Sequence, residues 1–116
     1  MKTVELVINK SKFIGVLISL TCEDDIKTNL NELSKQHKKA THICYAYVYN
    51  IDKVLEKFSD DGEPKGTAGA PIMNVLKKRK CQNTLIAVVR YFGGIKLGAG
   101  GLIRAYSKTA GSLFEN

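Results

Sequence analysis

Thr84-Leu85-Ile86-Ala87-Val88-Val89-Arg90-Tyr91-Phe92-Gly93-Gly94-Ile95-Lys96-Leu97-Gly98-Ala99-Gly100-Gly101-Leu102-Ile103-Arg104-Ala105-Tyr106 passes from an apolar strand, through a glycine-rich turn, into a helix. From Arg90 onward it holds five of the chain's ten glycines, two arginines, a lysine and three aromatics. Glycines at such a turn let backbone come close to a neighbour, and a helix start leaves N–H groups unpaired. Thr84–Arg90 is the most apolar run in the chain and is expected at the centre of a sheet. Leu97–Phe114 is expected as a helix with Ile103, Tyr106, Ala110 and Leu113 on one face.

Working outward, Val4, Leu6 and Ile8 alternate as in a strand, Asn9–Lys12 turns, and Phe13–Leu20 reads as a more buried strand, so a hairpin is expected. Thr21–Lys38 reads as a helix, its acidic start at Glu23–Asp25 and basic end at Lys35–Lys39 matching the dipole. That basic end is read as a solvated helix terminus rather than a nucleic-acid patch. Thr41–Asn50 and Val54–Phe58 are expected as an antiparallel pair, Asp60–Lys65 as a polar turn, and Thr67–Lys80 as a helix with Pro71 in its first turn. The order is β-β-α-β-β-α-β-α. It implies an α+β two-layer sandwich, a four- to five-stranded mixed sheet with helices on one face.

The chain has 116 residues, enough for one domain, and a net charge of +7. The surplus is uneven: +2 in residues 1–58 and +5 in residues 59–116. A basic half fits an acidic partner such as RNA, and serves solubility equally well. Cys22, Cys44 and Cys81 show no paired spacing, which argues for reduced thiols in a cytoplasmic protein, Cys22 and Cys44 serving as small core residues. No apolar run approaches the length of a membrane span and no signal sequence precedes the domain.

Two glycine-containing segments precede helices, and either can be architecture or ligand approach. In the first, Asp60-Asp61-Gly62-Glu63-Pro64-Lys65-Gly66-Thr67, the aspartates suit local turns and Thr67 suits a helix cap. Its acids Asp60, Asp61 and Glu63 stand to pair with Arg90 or Arg104, with a metal the weaker reading. The second, with Gly93, Gly94, Gly98, Gly100 and Gly101, has neither a P-loop nor a dinucleotide spacing. Lys96, Gly100, Arg104 and Lys108 lie four apart and form one basic stripe, bare at Gly100, which Arg90 and Tyr91 stand to extend. Phe92 and Tyr106 suit base stacking or the core. If the two helix N-termini converge, they make an anion site. His37 and His42 have no nucleophile placed beside them by local motif, so no catalytic residue, metal or cofactor is assigned. His42 is read as a hydrogen-bonded, half-buried residue.

Ser11-Lys12-Phe13-Ile14-Gly15, Ala40-Thr41-His42, Ser59–Gly69 and Arg90–Tyr106 closely resemble the N-terminal domain of the Impact/YigZ family, over nearly the whole chain. The resemblance implies a left-handed βαβ fold, like that of a small-subunit ribosomal protein and domain IV of elongation factor G. It implies a role in translational control: the eukaryotic members compete in the pathway that activates the amino-acid-starvation kinase, and RNA or ribosome binding has been suggested for bacterial ones. A peptidase assignment carried by some members finds no support in these residues. Bacterial members usually continue into a smaller ferredoxin-like domain, so residues 1–116 are expected to be the N-terminal domain alone. The function expected is a translation-associated binding domain that meets RNA or a ribosome-associated protein; a phosphate-ligand binder and a pure protein-interaction module are the alternatives.

Overall fold

The structure is a computed structural model and describes residues 1–115. Five strands, β1 (Lys2–Ile8), β2 (Ser11–Ser19), β3 (His42–Tyr49), β4 (Leu55–Ser59) and β5 (Thr84–Tyr91), form one sheet in the order β1-β2-β5-β3-β4. Three helices, α1 (Asp24–Gln36), α2 (Gly69–Lys78) and α3 (Gly98–Ser112), complete the described residues. The element order and the central place of β5 are as expected from sequence.

β1 and β2 meet through Asn9 and Lys10, both at positive φ, with Ile8 paired to Ser11. This is the two-residue turn whose twist matches its strands. Strand alternation then divides the side chains. Phe13, Cys44, Ala46, Val48, Ile86 and Val88 face α2 and α3, where Ile72, Leu76, Leu102, Tyr106 and Leu113 close the main core. Val16, Ile18, Leu85 and Ala87 face the other way and pack against Ile26 and Leu33 of α1.

Three expectations change. Every neighbouring strand pair is antiparallel, so the sheet is not mixed; parallel strands such as β4 and β5 are separated by β3. The helices do not share a face, because β2 and β5 are apolar on both sides and α1 covers the second side. The buried face of α3 runs through Leu102, Ala105, Tyr106, Thr109 and Ala110, leaving Ile103 on its edge, exposed. Among the described residues no helix is long and apolar enough to cross a membrane.

Candidate functional site

The turn after β4 decides the site. Asp61 and Gly62 both take positive φ, and the Glu63 N–H closes the turn on the Asp60 carbonyl at 2.9 Å. This aims Glu63 back at the sheet. Its carboxylate accepts two contacts from Arg90 Nη1, at 2.7 and 3.0 Å, and one from the Tyr106 hydroxyl at 2.6 Å. All three residues are buried. Arg90 Nη2 donates to Ser11 Oγ at 3.3 Å, and the same oxygen accepts the Gly93 N–H at 3.2 Å. The guanidinium lies 5.5 Å from the Phe13 ring and 5.4 Å from the Phe92 ring. Among the described residues, Arg90 Nε alone of the buried side-chain polar atoms has no hydrogen-bond partner.

Asp60 sits at the start of α2. Its carboxylate accepts from the N–H groups of Gly66, Ala68 and Gly69 at 2.9, 3.1 and 2.7 Å. Burial pushes its carboxyl up, but the bonds from Gly66, Gly69 and Ala68 outweigh that and hold it below the usual carboxylate value. The protein therefore supplies its own anion at the α2 N-terminus. Asp60, not Thr67, caps α2: Thr67 is buried and its hydroxyl donates to the Pro64 carbonyl at 2.5 Å. Asp61 ties the turn to β3, its carboxylate taking the Ile43 N–H at 2.7 Å and its carbonyl taking His42 Nδ1 at 2.7 Å. A carbonyl only accepts, so Nδ1 carries the proton. His42 Nε2 then faces Glu63 Oε1 at 3.4 Å.

The thiol of Cys44 donates to the Asp60 carbonyl at 3.1 Å and lies 3.5 Å from the Tyr106 hydroxyl. Burial pushes this thiol up to about 12 and pushes the Tyr106 phenol up as well, so both remain protonated donors. Cys22, by contrast, is exposed rather than in the core, because β2 ends at Ser19 and Cys22 falls in the loop before α1.

Arg90 and Tyr91 do not extend the basic stripe. Arg90 is turned inward to Glu63, and Tyr91, its neighbour in the strand, points to the α1 face, where its hydroxyl meets His37 Nδ1 at 2.7 Å. Lys96, Gly100, Arg104 and Lys108 are exposed, Lys96 lying in the loop just before α3. The Arg104 guanidinium folds back over Gly100, at 3.3 Å from where a Cβ would stand, so the missing side chain makes room for it. Gly94 and Gly98 take positive φ in open space, as does Gly66. A Cβ on Gly101 would meet Leu97 at 3.1 Å, and one on Gly93 would lie 1.9 Å from the Lys10 carbonyl oxygen. The β1–β2 turn thus rests on Gly93.

Two hollows flank α3. A shallow groove of about 290 Å³ lies between its basic side and the β1–β2 turn, lined by Asn9, Leu97, Gly101, Arg104 and Lys108. A cleft of about 420 Å³ lies on the other side, over the Glu63–Arg90 pair, with Pro64, Phe92, Leu97, Ala99 and Leu102 among its walls. Sequence reasoning missed the parts played by Ser11, Thr41, Lys10 and Phe92. Thr41 Oγ1 accepts the Phe92 N–H at 2.9 Å, an interaction that spans half the chain and leaves no local signal.

The profile of the Impact N-terminal domain matches residues 9–114. IMPACT family member YvyE of Bacillus subtilis is 52% identical over 105 residues, covering 90% of this chain and 48% of the relative. A solved structure of a hypothetical protein superposes with a TM-score of 0.92 at 37% identity, covering 99% of this chain and 57% of that one. The two-domain translational regulator Yih1 shares the fold, with a TM-score of 0.61 at 22% identity, over 94% of this chain and 43% of that one. The chain spans about half the length of the curated relatives it matches.

Proposed function

This chain belongs to the Impact N-terminal domain family, and from that premise we propose that it is a translation-associated regulatory domain that contacts RNA or a ribosome-bound protein through the basic side of α3. The observation that carries this reading is a division of labour within one motif. Arg90 is consumed inside the protein by Glu63, whereas Lys96, Arg104 and Lys108 stand exposed with no acidic partner among the described residues. Arg104 and Lys108 line the shallow groove, and such unpaired cations suit a polyanion, which gains affinity by releasing counterions. Yih1, which shares the fold, is a translational regulator.

The reading of a small phosphate ligand held between two helix starts is weaker, since Asp60 already occupies one of them. Co-sedimentation with ribosomes tests the proposal. The wild type is expected to pellet with ribosomes, and Arg104→Ala/Lys108→Ala to stay in the supernatant. Equal sedimentation of both would reject this surface as the contact; no sedimentation of either would reject ribosome association.

A further inference from the structure

We infer that the cleft on the opposite flank of α3 is a docking site for an extended polypeptide segment that places an apolar side chain beside a carboxylate. The wall residues Pro64, Phe92, Leu97, Ala99 and Leu102 are apolar, and the opening is about 420 Å³. That is the size of cavity that takes a large side chain and some backbone. Phe92 lines the cleft and is 46% exposed. Ile103, one helical turn on from the lining residue Ala99, is 42% exposed, so the apolar wall continues along that side of α3.

The charges select the occupant. The Glu63–Arg90 pair in the floor is neutral as a unit and calls for no counter-ion. On the rim, Lys96 has no acidic partner among the described residues, and the first turn of α3, which opens at Gly98, carries no acidic side chain. A carboxylate next to the apolar anchor would meet both the ammonium and the positive end of the helix. Nucleic acid fits the cleft less well. Aliphatic Leu97, Ala99 and Leu102 in its walls offer nothing to a phosphate backbone, and Phe92 beside them already lies against the Arg90 guanidinium. The inference is separable from the polyanion reading, because Arg104 and Lys108 line the other groove and Lys96 lines this cleft.

The test is an octapeptide array probed with the wild type and with Ala99→Trp, which fills the cleft from an exposed position, both first checked for native circular dichroism. The best binders are then measured by fluorescence anisotropy. Peptides with Leu, Ile, Phe or Met beside Asp or Glu are expected to be enriched by the wild type. Ala99→Trp and Lys96→Glu are each expected to weaken them by about tenfold, roughly 1.4 kcal/mol, while Arg104→Ala/Lys108→Ala leaves them unchanged. Enrichment of no peptide over Ala99→Trp, enrichment of basic peptides, or binding indifferent to Ala99→Trp would each overturn the inference. So would RNA binding that is abolished by Ala99→Trp, which would make the cleft a nucleic-acid site.

Discussion

Glu63 and Arg90, 27 residues apart, form a buried ion pair at 2.7 Å that joins the acidic turn after β4 to the glycine-rich motif after β5. Removing one partner strands the other charge away from water. Glu63→Ala is therefore expected to cost about 3–5 kcal/mol, and the pair of changes Glu63→Gln with Arg90→Met less than the sum of the two singly. Urea denaturation of Glu63→Ala and of the four proteins of the Glu63→Gln/Arg90→Met cycle checks this; additive losses in the cycle would mean the two side chains are not coupled.

The carboxylate of Asp60 gives an acid-dependent share of stability. Its folded pKa lies below the ordinary value, so its contribution is complete above that ordinary value and is lost as the pH falls through the lower, folded one. Asp60→Asn is expected to lose about 1 kcal/mol at neutral pH. The gap between it and the wild type is expected to close below about pH 4. Thermal melts across this range read the difference, and a gap that widened toward acid would contradict the assignment.

Glycine substitutions separate packing from exposure. At Gly93 a methyl group collides with the Lys10 backbone, so Gly93→Ala is expected to displace the β1–β2 turn and cost more than about 3 kcal/mol. At Gly100 the nearest atoms belong to the flexible Arg104 end, and Gly100→Ala is expected to stabilise the helix by about 0.5–1 kcal/mol. Chemical denaturation of the two variants checks the opposite signs.

Much of the fold was legible because it rests on periodicity. The alternation in β1, the doubly apolar β2 and β5, and the stripe Ile26, Leu30, Leu33 each announce their element within a few residues. What was not legible depends on which strand lies beside which. Nothing local says that α1 covers the second face, or that β3 separates β4 from β5. The site shows the same division. The exposure of Arg104 and Lys108 on one side of α3 follows from helical spacing, whereas Lys96 lies in the loop before the helix and lines the opposite cleft. The inward turn of Arg90 follows from register: β5 places it opposite His42 on one side and Phe13 on the other, next to Glu63. From sequence Asp60 reads as a local turn residue, because its three N–H donors lie six to nine residues on, beyond the range of a local turn.

Thiol reactivity reports the packing around the acidic turn. Cys22 is exposed, whereas Cys44 is buried with its thiol pushed up to about 12. A disulfide reagent at mildly alkaline pH is expected to modify Cys22 in the native protein and Cys44 only on unfolding. Glu63→Ala is expected to bring Cys44 into reach by loosening the Tyr106 hydroxyl beside it. Native Cys44 reacting as fast as Cys22 would contradict the packing described.

The division of the motif into a buried Arg90 and an outward basic surface is tested most directly by the salt dependence of binding to single-stranded RNA. Each phosphate neutralised adds about −0.7 to the slope of log K against log salt. The account predicts a steep slope for the wild type and a slope shallower by about 0.7 for each of Arg104→Ala and Lys108→Ala. A wild-type affinity indifferent to salt, or a slope unchanged by both substitutions, would contradict it.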